Sequence, residues 1–112
     1  MIVEKTRREG STVIALEGAI RLGESAEFFS QTLERTLEDE TGHVLIDFSR
    51  INYIDSTGIG ELVGYLQRFR SQQRKLILVN PSEKIGQLLQ IARLDQLFPI
   101  HASIEEALEA EA

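Results

Sequence analysis

The chain has 112 residues, 42% of them hydrophobic and 27% charged, enough for one domain with one core and too apolar for a disordered segment. Eighteen acidic residues against 12 basic ones give a net charge of −6, the wrong sign for direct, sequence-independent binding to nucleic acid, which runs on Lys and Arg against phosphate. Cysteine is absent and the two histidines have no ligand spacing, so no disulfide, thiol nucleophile, metal or cofactor is expected.

The start, Met1 to Arg8, lacks the apolar stretch of a signal peptide, and no apolar run is long enough to cross a bilayer; the expectation is a cytoplasmic protein without membrane insertion. Met1 to Thr6 is a candidate strand, pairing across the polar turn Glu9-Gly10-Ser11 with a second strand at Val13-Ile14-Ala15-Leu16, which Gly18 closes. From Glu24 to Glu40 the period changes. Ala26, Phe29, Leu33 and Leu37 recur at steps of three or four, one face of a helix, and Gly42 is placed to stop it.

Val44 to Phe48 reads as a buried strand, and Ser56 to Arg70 as a second helix with Ile59, Leu62, Val63, Leu66 and Phe69 on its core face. Leu76 to Val79 is another buried strand. Asn80-Pro81 then offers an N-cap and a first-turn proline for a helix whose apolar face is Ile85, Leu88, Leu89 and Ala92. Phe98 to Ala102 predicts a short strand confined to the sheet edge by Pro99, and Ser103-Ile104-Glu105-Glu106 is a capping box opening a last, fraying helix that runs to Ala112.

The order β-β-α-β-α-β-α-(β)-α predicts an α/β protein: a single domain over residues 1–112. Its mixed, mostly parallel sheet has four to five strands, an antiparallel pair at the start, and about four packed helices.

In such sheets the loops after the strand C-terminal ends are where ligands and partners meet the protein. Ile54-Asp55-Ser56-Thr57-Gly58-Ile59-Gly60 occupies one of them. Asp55 or Ser56 is the expected N-cap, which leaves the Ser56 and Thr57 hydroxyls at the positive end of the helix. Free N–H groups and the dipole there favour a bound or covalently attached anion. A phosphate on Ser56 would add roughly two negative charges beside Asp55 and repel a partner docked there; a plain capping role is the competing reading of the same serine.

Farther along the helix, Gly60, Gly64, Gln67 and Ser71 lie on one flank, bordered by Glu61 and Arg68. Interior glycines at that spacing imply a close backbone, either a docked protein or a neighbouring helix of this domain. Arg68, Arg70, Arg74 and Lys75 form a basic cluster read as a solvated C-terminal turn.

Two enzymatic patterns fail on the residues. A hydrolase triad of Ser56 with His43 or His101 and Asp47 lacks the Gly-x-Ser-x-Gly elbow, and His43 belongs at the opposite end of its strand. Gly58-Ile59-Gly60 with Gly64 is one residue too long for a dinucleotide fingerprint, and no Gly-Lys-Ser/Thr loop exists. No catalytic residue is assigned.

The stretch Leu45 to Gly64, LIDFSRINYIDSTGIGELVG, resembles the STAS domain family, and in particular the small bacterial anti-sigma factor antagonists. Asp47 stands where that family has an acidic residue ending a strand. Asp55-Ser56-Thr57-Gly58-Ile59-Gly60 matches its Asp-Ser-[Ser/Thr]-Gly-[Leu/Ile]-Gly, and Leu76 to Pro81, Leu88-Leu89 and Leu94-Asp95 look like its later part. The resemblance implies a regulatory binding protein, not an enzyme. Ser56 would be the phosphoacceptor of a partner that is both anti-sigma factor and serine-protein kinase. A metal-dependent serine phosphatase would restore the unmodified form.

Asp55, Thr57 and Gly58 would shape the site, with Gly60 and Gly64 toward the partner. Other members of the family act as accessory subunits of lipid transporters or as components of stress-sensing scaffolds, where the serine is only a contact. One departure stands out: the family's Gly-Glu-[Leu/Ile]-Asp after the second strand is here Gly18-Ala19-Ile20-Arg21, so Arg21 puts a cation where the family has an aspartate, in a loop expected beside Ser56.

Overall fold

A computed structural model describes residues 1–111, apart from the side chain of Ile2. The elements are β1 (Ile2–Arg8), β2 (Ser11–Ile20), α1 (Glu24–Asp39), β3 (Val44–Ile54), α2 (Ser56–Arg70), β4 (Leu76–Val79), α3 (Glu83–Ile91), β5 (Ile100–His101) and α4 (Ile104–Ala110), with a short 3-10 turn at Leu94–Gln96. They form a five-stranded sheet in the order β1-β2-β3-β4-β5. The first pair is antiparallel and the other three are parallel.

Side chains alternate across a strand, so each strand feeds two layers. Ile14, Leu16, Val44, Ile46, Phe48, Leu76 and Leu78 face α1, α2 and α3 in the main core, together with Phe29, Leu33, Leu62, Phe69, Ile85 and Leu89. Val13, Leu45, Ile77 and Val79 point the other way, under Ala107, Ile104 and Leu108 of α4.

Several boundaries differ from the sequence reading for identifiable reasons. β2 runs through Gly18 to Ile20, and β3 continues past Phe48 to Ile54. Beyond Phe48 the buried residues of β3 are Ile51 and Ile54, three apart rather than two. The register shows why: Ala15 pairs Asp47 but Glu17 pairs Arg50, and Gly18 pairs Ile51 but Ala19 pairs Tyr53. Each shift is a bulge that inserts a residue into β3 and breaks the two-residue alternation.

Gly42 does not stop α1, which ends at Asp39 with Glu40 as its cap. Instead it takes φ 83°, and a Cβ there would lie 2.1 Å from the Gly10 carbonyl oxygen, so it lets the α1–β3 loop pass over the hairpin turn. The cap of α3 is Ser82, whose Oγ accepts from the Ile85 N–H at 3.2 Å. Asn80 extends the ladder between β4 and β5 by donating to the His101 carbonyl at 2.8 Å.

On α2 the buried set is Gly58, Leu62, Tyr65, Leu66 and Phe69, with Ile59 and Val63 only half-buried, and Ala92 lies exposed beyond α3.

The basic cluster is solvated at Arg68, Arg70 and Lys75, which are exposed, but not at Arg74. Arg74 is buried, stacked over Phe69 at 4.7 Å. It donates to the Gly42 carbonyl at 2.8 Å and the Leu37 carbonyl at 3.0 Å. Arg68 pairs with Glu34 of α1, and Arg70 donates to the Leu97 carbonyl at 2.6 Å. α4 opens on Ser103, which accepts from the Glu106 N–H at 3.1 Å, and its end is tied down rather than frayed, since Glu111 bridges Lys75 at 2.7 Å and His101 at 2.9 Å. The last residue of that expected helix, Ala112, lies outside the described residues.

Candidate functional site

The C-terminal ends of β2 and β3 lie side by side, Ile20 opposite Ile54. Two loops leave from there: Arg21-Leu22-Gly23 toward α1, and Asp55 into α2. The Asp55 N–H donates to the Ile20 carbonyl at 3.0 Å. Its side chain is the N-cap of α2. Oδ1 accepts from the Gly58 N–H at 2.9 Å, and Oδ2 accepts from the Leu22 N–H at 2.8 Å. These backbone donors, with a smaller contribution from the Arg21 cation, hold the Asp55 carboxyl below the usual aspartate range.

Gly58 completes the lock. It is buried against Ile20 and Ile54, and a Cβ there would lie 2.7 Å from Ile54 Cγ1 and 2.8 Å from Ile20 Cγ2. The glycine is therefore needed for close packing of helix on strand. With Asp55 and Gly58 fixed, Ser56 stands exposed in the first turn of α2, where orphan N–H groups and the helix dipole favour negative charge. Thr57 is half-buried and lines an open groove between the starts of α1 and α2 with Leu22, Ala26, Ser30 and Glu61.

The loop that carries Arg21 lies beside Asp55. The Arg21 guanidinium stacks over the Tyr53 ring at 5.1 Å, and its backbone is fixed by Ser25, whose Oγ accepts from the Arg21 N–H at 2.9 Å.

Gly60 and Gly64 are exposed, and a Cβ on either meets nothing within 4 Å. The neighbouring-helix explanation of these glycines fails, because α1 packs on a different flank of α2: Ser30 Oγ and Tyr65 Oη are 3.2 Å apart, and Glu34 meets Arg68. Arg68 thus belongs to the α1 contact rather than to the glycine flank.

The triad is not assembled. His43 precedes β3 at the far end of the sheet, where its Nδ1 accepts from the Lys75 N–H at 3.0 Å. His101 is engaged with Glu111 at 2.9 Å, and Asp47 Oδ1 accepts from the Ser49 N–H at 2.9 Å.

Sequence reasoning missed Tyr53 and Leu22. Leu22 is 78% exposed and supplies the N–H that holds Asp55. Its part is played by a backbone N–H, for which residue identity carries no signal.

The five-stranded mixed sheet with its four helices agrees with the comparisons. The profile of the STAS domain matches residues 3–107, and the chain belongs to that family. Among its members, the anti-sigma-B factor antagonist of Staphylococcus aureus is 29% identical over 68 residues, which cover 61% of this chain and 63% of that protein. The match therefore spans less than two thirds of the curated relative's length.

An anti-sigma-factor antagonist (STAS) domain protein from Planctomyces limnophilus is 26% identical, with a TM-score of 0.83 over 96% of each chain. The Bacillus cell fate determinant SpoIIAA in its phosphorylated form superposes with a TM-score of 0.74 at 20% identity, over 99% of this chain and 100% of that one, a likeness of fold. Among the described residues no helix is long and apolar enough to cross a membrane.

Proposed function

We propose that residues 1–112 act as one regulatory binding domain of the cytoplasm, not as an enzyme, and that phosphorylation of Ser56 controls it. The unmodified form binds an anti-sigma factor that is also a serine kinase, and so alters which sigma factor is free for transcription. The kinase transfers a phosphoryl group to Ser56 Oγ and the complex separates. A metal-dependent serine phosphatase hydrolyses the phosphoserine, restoring the hydroxyl and releasing inorganic phosphate. Asp55, Ser56, Thr57, Gly58 and Arg21 form the centre of the docking face, and Gly60 and Gly64 its open flank.

The observation that carries this reading is the exposed Ser56 in the first turn of α2, beside a carboxylate whose two oxygens are already taken by the backbone. A phosphate there meets the helix dipole instead of opposing it, so the helix persists while the surface charge changes. The name of the Staphylococcus aureus relative and the phosphorylated state of the Bacillus neighbour support the same reading.

The test is mass spectrometry of the protein from its own cells, before and after phosphatase treatment, followed by binding to a co-purified kinase partner. The expected result is a phosphatase-sensitive phosphate on Ser56, partner binding retained by Ser56→Ala, and binding about tenfold or more weaker for Ser56→Asp. An unmodified serine through growth and stress, with equal binding by both variants, refutes the switch and points to a binding module or transporter subunit in which Ser56 is only a contact.

A further inference from the structure

The turn that carries Arg21 and the start of α2 that carries Ser56 are joined by a short hydrogen-bonded frame. The residue before Arg21 and the residue after it both bond to the residue before Ser56: the Ile20 carbonyl accepts from the Asp55 N–H at 3.0 Å, and the Leu22 N–H donates to Asp55 Oδ2 at 2.8 Å. Ser25 closes the other side of the turn, accepting from the Arg21 N–H at 2.9 Å and donating to its carbonyl at 3.1 Å. The backbone at Arg21 is therefore fixed relative to the serine, and only its exposed side chain is free to choose a partner.

That side chain has no carboxylate partner among the described residues; the charged contacts there belong to other cations. No salt bridge or hydrogen bond joins it to Asp55, whose oxygens accept backbone N–H groups, although its positive charge acts on that carboxyl. What holds the guanidinium is the face of Tyr53 at 5.1 Å, itself 39% exposed. A cation resting on an exposed ring is a weak arrangement, whereas a guanidinium fork on a phosphate makes paired, charge-assisted hydrogen bonds. Arg21 is the cation placed to leave one for the other.

The geometry points to Arg21 as an internal ligand of the Ser56 phosphate: on phosphorylation its guanidinium moves from Tyr53 to the phosphoryl oxygens. The inference rests on Ser56 being the modified residue. Its consequence is a two-part change in the docking face, in which phosphorylation adds negative charge at Ser56 and withdraws the positive charge at Arg21, uncovering Tyr53. A partner matched to the unmodified face must then present an acidic or hydrogen-bond-accepting group opposite Arg21.

The test installs phosphoserine at position 56 of the full chain during synthesis and follows its second ionisation by phosphorus NMR in low salt. In the protein with Arg21 that ionisation is expected roughly half a unit to one unit lower than in Arg21→Gln, a shift that shrinks in high salt. Arg21→Lys is expected to restore part of it, having the charge without the fork. A broad-specificity serine phosphatase is expected to remove the phosphate several-fold faster from Arg21→Gln.

Superimposable titrations of the parent and the Arg21→Gln variant overturn the inference. Because no kinase is needed, the two failures are separable. A serine never phosphorylated in cells removes the switch and leaves the measured contact, whereas identical titrations remove the contact and leave the switch.

Discussion

Replacing Gly58 with alanine tests whether the strand–helix junction is packed tightly enough to hold Ser56 in one orientation. The added Cβ would lie 2.7 Å from Ile54 Cγ1, 2.8 Å from Ile20 Cγ2 and 3.2 Å from the Ile20 carbonyl oxygen. Ile20 and Ile54 are 0% and 3% exposed, and that carbonyl already accepts the Asp55 N–H, so none of the three atoms is free to retreat. Overpacking of a filled site costs about 1–3 kcal/mol, against about 1 kcal/mol gained from replacing glycine inside a helix. The expected net loss is up to about 2 kcal/mol, a fall in Tm of up to several degrees.

Gly60→Ala and Gly64→Ala are the internal controls. Nothing lies within 4 Å of either added Cβ, so each is expected to gain up to about 1 kcal/mol. Urea unfolding followed by circular dichroism reads all three, with unchanged m showing that stability alone has moved. Gly58→Ala equal to or more stable than the parent would refute the packing argument, and a loss at Gly60 or Gly64 would show that their flank is not open.

Asp55→Asn keeps an N-cap for the Gly58 N–H but offers only one acceptor oxygen, so the Leu22 N–H loses its partner. The folded state holds the Asp55 carboxyl below its ordinary value of 3.8, so its stabilisation is complete above that value and is lost as pH falls through the lower folded one. Unfolding curves of parent and variant are therefore expected to differ at neutral pH and converge in acid; a gap independent of pH would show that the charge contributes nothing. Arg74→Met strips charged donors from the Gly42 and Leu37 carbonyls in a buried place, for an expected loss of about 2–4 kcal/mol. Arg70→Met, at an exposed residue with one carbonyl partner, is expected to lose under about 1 kcal/mol, and equal losses in chemical denaturation would return Arg74 to the solvated-turn reading.

How much was legible follows from which signals are local. α1 and α2 were readable to within a residue because an amphipathic period and a capping aspartate are carried by neighbouring positions, and Ser103 was readable as a cap for the same reason. The continuation of β3 was not, since its two bulges are defined only against β2 and turn the buried spacing from two to three at Phe48, Ile51 and Ile54.

Arg74 illustrates the opposite failure: by composition it joins a basic run, yet its guanidinium serves carbonyls 32 and 37 residues away. At the site, the motif Asp55-Ser56-Thr57-Gly58 announced itself, but the part played by Leu22 did not, because a backbone N–H leaves no trace in residue identity. Tyr65 was missed on the core face because its ring is buried while its hydroxyl finds Ser30, a combination a hydrophobic count does not register.

The locked junction also constrains how the switch can work. Asp55 has both oxygens engaged, Gly58 is wedged against Ile20 and Ile54, and the Arg21 turn is closed by Ser25, so phosphorylation has little backbone to move. Its effect must act through charge, and charge on an exposed surface reaches about 8–10 Å before salt screens it. At about 1.5 Å per residue along α2, Gly60 lies roughly 6 Å from Ser56 and Gly64 roughly 12 Å. A partner docked on this flank, as proposed, would meet two kinds of control. Contacts near Gly60 feel the phosphate directly and weaken with a strong dependence on ionic strength. Those near Gly64 depend on the absence of side chains there, which the phosphate does not alter, and so they set how closely a partner approaches irrespective of salt. In the proposed switch, affinity and its regulation would be carried by different turns of the same helix.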